Sequence, residues 1–600
     1  MKDMKKGGYD YKLPVLQMVV SMFLPIIVLI MNFMFYLHYP VSLACSLLVA
    51  LPKKGNLLLP KNWRGIQMLP SFGALYDRIL ANRLHKWIGV DNEQTAFQKG
   101  KSTLHQLFTL RLLIEIAYHT DTTLYIGFFD IEKAFDKISR LLLLQKLVKL
   151  GIGSCMLAAL KLLYMPTYCI LSFYGQKSQR FETCTGIRQG ASSSVFLFII
   201  FINDLIEYLK DRCIAETLID TMHSLLHADD TAILATNREL FVIKCNHMLD
   251  YFRINKLNLN LSKSAYLIIN GKDIDTKTDI TLNNGRLEYK PQVVYLGAIF
   301  SDSGDRKNDV CLYLSTKRSN MTVKYVNFCS KNYLAPLIIK LKVLNTCVSA
   351  ALVYGCETWG DFNTKSLETL YRTGLKCALS IRNTTNNEIA YIESGQYPLE
   401  VKTTKQQLKF WNTLMKDKQQ NPNAPLSKLI DYGLNINVKY LAYYKTLANK
   451  YSSPEDCKIK LEKKFRDTWC NKIHNSKSKD DQCKLATYLK VNTDLQPPAY
   501  DMNAFEIERI SKTRYRTGSH NLLIETGRMV KPTPIPREER ICLCNTDIQT
   551  LEHCLLTCPL LAHIRPSDNF STVSDALENV KINFFLVDME HILKLKKYIS

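Results

Sequence analysis

The sequence has no internal repeat, no cleavable signal peptide and comparatively few acidic residues. Its 600 residues include 55 Asp and Glu against 78 Lys and Arg, a formal net charge of +23. A hydrophobic content of 47% excludes a disordered chain or a fibrous protein. The shortage of negative charge predicts a polyanionic partner, which charge alone leaves as either nucleic acid or an anionic membrane surface.

The 18 cysteines show no disulfide framework. Most are scattered singly through apolar stretches, as at Cys45, Cys155, Cys347 and Cys356. Together with the missing signal peptide, this pattern indicates the reduced thiols of an intracellular protein.

One long apolar stretch, residues 15–37, raises the question of a transmembrane helix, and basic residues precede it. Gln17, Ser21 and Asn32 interrupt the stretch with polar atoms, and Pro25 would break the hydrogen-bond ladder of an ordinary helix. We therefore favour a pair of buried helices packed against a globular domain. A spanning helix remains the alternative, because periodicity does not separate the two.

The residue pattern changes along the chain. Residues 121–300 alternate apolar, strand-like runs with helical stretches, which is typical of an α/β or α+β core. Residues 301–510 are rich in Lys, Leu and Asn at amphipathic helical spacing and have few strand signals. Candidate linkers lie at residues 419–425 and in the Lys/Ser/Asp run at 476–482.

Asp130 directly follows a predicted strand at residues 123–129, and the residues after it, up to Asp136, read as the start of a helix. A carboxylate at the end of a buried strand is costly unless it meets a cation. The alternative interpretation is that Asp130 caps the helix.

Asp229 and Asp230 lie between two apolar runs, a pattern that predicts a β-hairpin. Adjacent aspartates at a hairpin tip repel each other, so they favour a divalent ion; the alternative is an ordinary turn. Mg²⁺ commonly binds one or two carboxylates together with substrate phosphates. Two such ions stabilise both the attacking and the leaving oxygen of an in-line phosphoryl displacement.

An ordered set of motifs surrounds these carboxylates, and through it the chain resembles the reverse transcriptases of non-LTR (LINE-type) retrotransposons. Residues 129–136 resemble motif A, residues 186–194 with 196–198 resemble motif B, and residues 227–230 resemble motif C. The remaining matches are to motif D at 257–264, motif E at 295–297, and the fingers motifs at 51–55, 62–66 and 94–103. The order and spacing of the set make the resemblance specific.

The resemblance implies a right-hand polymerase of the α+β class. It divides the chain into a helical lead-in at 1–45, fingers and palm at 46–300, a helical thumb and connection at 301–510, and a C-terminal region at 511–600 with a possible zinc knuckle. It also assigns residues 15–37 to the lead-in helices, which makes a membrane span unlikely in this interpretation.

The implied activity is RNA-directed DNA synthesis from an RNA template, a DNA primer and dNTPs, with two Mg²⁺ ions. The rival hypothesis is a catalytically decayed copy that only binds nucleic acid. The expected location is the nucleus and cytoplasm. Full-length relatives carry an endonuclease, and we expect this chain to have lost it.

In this family, the residues that match Asp130, Asp229 and Asp230 bind the metal ions. Lys263 would protonate the pyrophosphate leaving group, with a plain surface lysine as the alternative. Phe135 occupies the position of a steric gate against the ribose 2′-OH, although it could equally be a core residue.

Five further residues are implied in substrate binding. Lys53 and Arg64 would meet the triphosphate, where a guanidinium fork suits phosphate oxygens; otherwise they are solvated loop charges. Arg188, Gln189 and Gly190 would shape the template and nucleotide pocket, the glycine allowing close approach of the backbone.

The sequence departs from the family pattern at several positions. His227 stands where an aromatic residue is usual, Ala191 replaces a common Asp, and Asn255 and Lys256 stand where motif D often has Gly. None of these changes removes a metal carboxylate, so we expect that activity is possible.

A cluster of Cys and His residues near the C-terminus predicts a Cys₃His zinc site, made by Cys542, Cys544, His553 and Cys558. The family knuckle usually has two residues between the first cysteines, whereas here only one separates them. Cys554 could substitute as a ligand, and a set of buried thiols is the alternative.

Overall fold

The fold is known from a computed structural model. It describes residues 18, 21–53, 55–98, 100–271, 277–305, 308–310, 319–362, 365–477, 484–492, 494–498, 505–566, 570–579 and 581–597. The chain divides into two compact units, the first Met1–Asp305 with Met415–Ala442 and the second Arg306–Leu414 with Tyr443–Ser600. Helices and sheets are mixed in the first unit, which confirms the predicted α+β class.

The strands all lie in the first unit within the described residues. In chain order they are β1 (Cys45–Pro52), β2 (Trp63–Met68), β3 (Leu124–Asp130), β4 (Thr167–Phe173), β5 (Gln176–Lys177), β6 (Phe181–Thr183), β7 (Ser224–His227), β8 (Asp230–Ala235), β9 (Ala265–Ile269), β10 (Ile280–Leu282), β11 (Gly285–Tyr289), β12 (Gln292–Tyr295) and β13 (Ala298–Ser301).

Helices occur throughout both units. Up to Ile254 they are α1 (Leu24–Tyr36), α2 (Val41–Ala44), α3 (Ser71–Trp87), α4 (Thr103–His119), α5 (Ala134–Lys137), α6 (Arg140–Lys149), α7 (Ser154–Tyr164), α8 (Ser192–Ile202), α9 (Leu205–Lys210) and α10 (Arg238–Ile254). The later helices are α11 (Ser319–Lys331), α12 (Leu337–Val343), α13 (Ala350–Val353), α14 (Lys365–Leu379), α15 (Asn387–Ser394), α16 (Leu399–Gln420), α17 (Pro425–Asn435), α18 (Lys439–Lys450), α19 (Pro454–Lys477), α20 (Lys484–Val491), α21 (Glu506–Arg516), α22 (Leu523–Thr526), α23 (Val573–Glu578) and α24 (Ile582–Lys597).

Two larger sheets organise the first unit. One has the order β2-β1-β4-β5, with β6 also paired to β4, and the other has the order β10-β11-β9-β3-β8-β7. Strands β12 and β13 form a separate hairpin. Its two turn residues, Leu296 and Gly297, both have positive φ, as a tight two-residue hairpin turn requires.

Strand β3 lies at the centre of the six-stranded sheet, between β8 and β9. Its residues are buried as far as Phe129, and only the last, Asp130, is partly exposed. Gly127 is needed here because a Cβ atom at this position would lie 2.8 Å from the Phe129 ring and 2.9 Å from the Phe241 ring of α10. The buried strand therefore delivers one carboxylate to the surface at its end.

The described residues of this stretch agree with the predicted pair of helices: residues 18, 21 and 22 are helical, Phe23 is a bend, and α1 begins at Leu24. The break at Phe23 lies two residues before Pro25, which itself occupies the first turn of α1, where a missing N–H breaks no hydrogen bond. The prediction of buried helices holds for only one face of α1, since Leu24, Ile26 and Leu29 are exposed. Ile27 and Met34 are buried, and the hydroxyl of Tyr76 in α3 donates to the carbonyl of Met34. Residues 15–17, 19 and 20 lie outside the described residues.

Two other helical stretches, Ser192–Lys210 and Leu337–Thr358, have the length and apolar composition of a membrane span. Helices in a protein core also have this composition, and the first stretch is 67% buried within the protein. These stretches therefore carry little weight as evidence for a membrane protein.

The two predicted linkers have different outcomes. Residues 421–424 form a short turn between α16 and α17, in which the Ser427 hydroxyl donates to the Asn421 carbonyl at 2.8 Å. Of the second linker, residues 478–482 lie outside the described residues, and α19 continues to Lys477.

The described residues of the second unit form helices and loops without a named strand. The described part of residues 301–510 is mainly helical after β13, as the sequence predicts. One hydrophobic core surrounds α14 and α15, and a second, between Val491 and Met589, includes Cys542, Cys554 and Cys558. The predicted cysteine cluster therefore belongs to a hydrophobic core near the C-terminus.

Candidate active site

Three carboxylates meet at one end of the six-stranded sheet. Strands β3 and β8 are antiparallel, and their register places Asp130 directly opposite Asp230. Strands β7 and β8 form the predicted hairpin, with Ala228 and Asp229 as its turn. Since the helix cap of α5 is Lys133, the alternative that Asp130 caps a helix is wrong.

Burial and neighbouring charges shift the pKa values of two of these carboxylates, Asp229 and Asp230. Burial, followed by the charges of Asp229 and Asp130, raises the pKa of Asp230 to about 6. Burial and then the Asp130 charge also raise the pKa of Asp229, while Arg64 lowers it. Three neighbouring carboxylates form the oxygen donor set that suits a hard divalent cation.

Lys263 reaches this acidic centre. Its Nζ lies 3.4 Å from Oδ2 of Asp130, although the lysine side chain is 68% exposed. The turn that carries it is bonded to the end of β3: Asn260 N–H donates to the Asp130 carbonyl at 2.8 Å, and Asp130 N–H donates to Ser264 Oγ at 3.3 Å. The lysine therefore lies beside the three carboxylates.

Arg64 and Lys53 lie on the β1–β2 hairpin, and both side chains are exposed. Arg64 pairs in register with Leu51, and the N–H of Lys53 donates to the Asn62 carbonyl at 2.7 Å. The positive charge of Arg64 acts on Asp229, as its effect on that pKa shows. This hairpin therefore supplies positive charge next to the carboxylates.

The loop of residues 186–190 lies against strand β2. The N–H of Gln67 donates to the Gln189 carbonyl at 2.7 Å. Gly190 has φ of +125°, and a Cβ atom there would lie 2.5 Å from the Gln67 carbonyl oxygen. The close backbone approach expected at this glycine is thus made to strand β2.

The structure corrects the predicted role of Arg188 in substrate binding. The sequence assigned it to the nucleotide pocket, but its side chain is buried, with 1% of the residue exposed. Its guanidinium donates to the Leu163 carbonyl at 2.7 Å and lies over the Tyr164 ring. A residue buried in this way cannot touch a substrate, so Arg188 acts on the pocket only through the loop that carries it.

Phe135 is half-buried and stacks on Phe198, with ring centroids 5.0 Å apart at an angle of 23°. Its carbonyl accepts the N–H of Ile187 at 2.9 Å, which links α5 to the 186–190 loop. The core contact is therefore present, and the exposed part of the ring leaves the predicted role as a steric gate open.

Sequence reasoning missed the residues that support the β7–β8 turn. The Oε1 atom of Gln94 accepts the N–H of Ala228 at 3.3 Å and that of Ala96 at 2.9 Å. Nε2 of Gln106 donates to the Leu226 carbonyl at 2.8 Å, and Nδ1 of His227 lies 3.0 Å from Thr95 Oγ1. Gln94 and Gln106 lie close to the hairpin only in the folded chain, so the sequence around Asp229 and Asp230 gives no sign of these contacts.

The four predicted zinc ligands lie together in the second unit. Their ligand atoms are all within 4.8 Å of one another, with Cys544 Sγ 3.2 Å from His553 Nε2 and Cys542 Sγ 3.8 Å from Cys558 Sγ. The other ring nitrogen of His553 lies 3.1 Å from Thr557 Oγ1, which can orient the ring. Three thiols and an imidazole at these distances fit a tetrahedral zinc ion.

The single residue between Cys542 and Cys544 does not prevent this arrangement. Asn545, just after them, has φ of +61°, and its N–H donates to the Cys542 carbonyl at 2.8 Å. The left-handed residue reverses the chain within a short loop, so both sulfur atoms reach the cluster. Cys554 is fully buried and is not one of the four grouped ligands.

A family model described as "Reverse transcriptase (RNA-dependent DNA polymerase)" matches residues 51–300, which include all three carboxylates, Arg64 and Lys263. Residues 51–300 are a reverse transcriptase domain. The matched residues contain the whole six-stranded sheet and the site at its end, and all of the other larger sheet except the first six residues of β1.

The related proteins come from retrotransposable elements. A retrovirus-related Pol polyprotein from a type-1 retrotransposable element R2 of Popillia japonica is 27% identical over 286 residues, 46% of this chain and 40% of that protein. The transposon TX1 uncharacterized 149 kDa protein of Xenopus laevis is 26% identical over 245 residues, 39% of this chain and 18% of that protein. The matched part of the chain thus spans less than half the length of either relative.

Among solved structures, telomerase from Candida tropicalis in complex with a TWJ fragment of telomeric RNA matches this chain with a TM-score of 0.34. The identity is 14%, over 71% of this chain and 65% of that one. A TM-score of 0.34 is too low to support an argument about function.

Proposed function

We propose that the protein is an RNA-directed DNA polymerase of a non-LTR retrotransposon, which extends the 3′-hydroxyl of a DNA primer with dNTPs on an RNA template. The observation that carries the proposal is the β3–β8 register, which brings Asp130 opposite Asp230 and next to Asp229 inside a reverse transcriptase domain. The partners proposed with this activity are therefore the template, the primer and the dNTPs.

Asp130 and Asp229 would hold two Mg²⁺ ions, with Asp230 beside them. Mg²⁺ bound there would stabilise the charge on the attacking and leaving oxygens. Part of the rise in the pKa values of Asp229 and Asp230 comes from the charges of the neighbouring carboxylates, and a cation bound between them would relieve this repulsion.

The remaining residues would bind and orient the substrate. Arg64, whose charge reaches Asp229, and Lys53 would attract the triphosphate. Gln189 and Gly190 would form one wall of the nucleotide pocket, and the exposed edge of Phe135 would exclude a ribose 2′-hydroxyl. Lys263, 3.4 Å from Asp130, would give a proton to the pyrophosphate as it leaves.

We also propose that Cys542, Cys544, His553 and Cys558 bind one structural Zn²⁺ ion. Thiolates and imidazole at this spacing are typical zinc ligands, and all four come from one short segment. The ion would hold the 542–558 loop closed and so present the C-terminal region to nucleic acid. The proposed location of the whole protein is the nucleus and cytoplasm, where template RNA and target DNA are found.

Primer extension tests the activity. The full chain is incubated with an RNA template, an annealed DNA primer, dNTPs and Mg²⁺, and binding of the same template–primer is measured in parallel at several salt concentrations. Extension that depends on Mg²⁺ and on the RNA template supports the proposal. Salt-sensitive binding without extension would instead identify a decayed copy that only binds nucleic acid.

A further inference from the structure

Helix α8 begins without a capping side chain of its own. It runs from Ser192 to Ile202, directly after the 186–190 loop, and its N-cap residue is Ala191, whose methyl group accepts no hydrogen bond. The first N–H groups of a helix need acceptors from outside the helix. In this domain the acceptor comes from another helix.

Asp77 of α3 supplies this acceptor. Its Oδ2 atom accepts the N–H of Ser193 at 3.1 Å, and its Oδ1 atom accepts the Ser193 hydroxyl. Asp77 is only 1% exposed, and an ionised carboxylate in such a place needs hydrogen bonds and compensating positive charge. The positive end of the α8 dipole meets part of this need.

Arg188 supplies further positive charge. It is as deeply buried as Asp77. Burial raises the pKa of Asp77, and the hydrogen bonds from Ser193 and the charge of Arg188 oppose this rise. Its guanidinium lies 5.6 Å from the ring centre of Tyr164, whose hydroxyl lies 3.1 Å from Ser193 Oγ. Asp77, Arg188, Tyr164 and Ser193 thus form one buried polar cluster, here called the α8 anchor.

The α8 anchor lies immediately beside the exposed part of the loop. Gln189 and Gly190 follow Arg188 directly, and on their other side the Gln67 N–H holds the Gln189 carbonyl at 2.7 Å. Gly190 packs so closely against Gln67 that a Cβ atom would not fit between them. Because Gln189 and Gly190 directly follow Arg188, a shift of the α8 anchor would change their position relative to β2. Strand β2 is also the strand that carries Arg64.

We propose that Asp77 is a positioning residue for nucleotide binding: by capping α8 and balancing Arg188, it fixes Gln189 and Gly190 against strand β2. This inference rests on the proposed polymerase function and adds a residue outside the motifs that identify the domain. Replacement of one carboxylate oxygen of Asp77 by an amide nitrogen leaves either the N–H or the hydroxyl of Ser193 without its acceptor, and this loosens the loop. The metal-binding carboxylates, on β3 and the β7–β8 turn, are untouched by that change.

The test compares Asp77→Asn with the parent and with a matched control, Asp211→Asn, an exposed aspartate at the end of α9. Single-nucleotide incorporation by the full chain gives KM for the dNTP and kcat separately, and hydrogen exchange reports the protection of the amides at 186–193. We expect Asp77→Asn to raise KM at least 10-fold, change kcat less than 3-fold, and speed exchange at 186–193 while β3 and β8 keep their protection. Ser193→Ala should give a smaller effect in the same direction.

Each other outcome counts against the proposal. Asp77→Asn with KM and loop exchange equal to those of Asp211→Asn would overturn it. Faster exchange in every strand, or a loss of kcat at unchanged KM, would show a general role in stability or a direct catalytic role. If the parent incorporates no nucleotide, the proposed function fails, and the exchange measurement by itself decides whether Asp77 positions the loop.

Discussion

Asp130 and Asp230 face each other across the β3–β8 ladder, although 100 positions separate them in the chain. Each is the terminal residue of its strand, so the backbone hydrogen bonds of the sheet fix the separation of the two carboxylates. With Asp229 in the adjoining turn, this pair forms the acidic centre of a reverse transcriptase domain. The residues around that centre lead to the following predictions.

Lys263 gives a test of proton donation. If it protonates the leaving pyrophosphate, Lys263→Met should lower the rate of incorporation by about 100-fold. Lys263→Arg should be almost as slow, because a guanidinium keeps the positive charge but does not release its proton. Pre-steady-state incorporation measures both variants, with Lys149→Met as the control on an exposed helix end. An arginine variant as fast as the parent would assign the lysine a purely electrostatic role.

Phe135 gives a test of sugar selection. The ring is held by its stacking on Phe198, so Phe135→Val opens space beside the nucleotide without removing a polar group. We expect the preference for a dNTP over the matching ribonucleotide to fall by about 10- to 100-fold, since small changes in pocket volume give discrimination of this size. The ratio of kcat/KM for dCTP and CTP measures it. An unchanged ratio would leave Phe135 as a core residue alone.

Glu93, which contacts strand β7 of the β7–β8 hairpin, gives a test of how stability depends on pH. It is buried below β7, where its Oε2 accepts the N–H of Ser224 at 3.2 Å and its Oε1 lies 3.4 Å from Lys210 Nζ. Burial raises the pKa of Glu93 to about 7, against the opposing effect of Lys210. The folded chain therefore binds a proton that the unfolded chain has released between about pH 4.5 and pH 7, and stability falls as the pH rises through that window.

Glu93→Gln removes this dependence. The variant should unfold at a higher temperature than the parent above pH 7, and the gain should vanish below about pH 4.5, where the glutamate is protonated in both states. Thermal unfolding at pH 4.5, 6 and 8 measures the gain, with Glu207→Gln, an exposed glutamate of α9, as the control. A gain of the same size at all three values would contradict a titrating, buried Glu93.

The Cys/His cluster gives a test by metal removal. The purified chain should contain one zinc ion, and both Cys542→Ser and Cys558→Ser should lose it. Cys554→Ser is the matched control, because this neighbouring thiol is buried but is not one of the four grouped ligands. Zinc content after dialysis measures each variant. Equal zinc in all variants, or none in the parent, would leave the cluster as buried thiols.

The sequence predicted those parts of the site that depend on local pattern. A run of aromatic and β-branched residues that ends in an aspartate located Asp130, and two apolar runs around Asp229 and Asp230 located the hairpin. Spacing along a single segment located the four Cys and His ligands. In each case the residues that act together are neighbours in the chain, or belong to a motif whose order is informative.

The rest depends on contacts between distant segments. Arg188 stands in a glycine-containing loop and reads as a residue that faces a ligand, but its guanidinium folds inward to the Leu163 carbonyl and the Tyr164 ring. Asp77 looks like an ordinary polar position of an amphipathic helix, and only the packing of α3 against α8 makes it a helix cap. The amide of Gln94 is likewise explained only once the β7–β8 turn is placed beside it.

The most direct test of the central claim is the rate of single-nucleotide incorporation by Asp229→Asn, measured as a function of Mg²⁺ concentration. The parent should incorporate the templated dNTP with a rate that saturates in Mg²⁺, and Asp250→Asn, a control on α10, should match it. Asp229→Asn should be slower by about 1,000-fold, since a bound metal ion supplies several kcal/mol of transition-state stabilisation. Incorporation by Asp229→Asn at the parental rate would contradict the assignment of Asp130, Asp229 and Asp230 as the catalytic metal site.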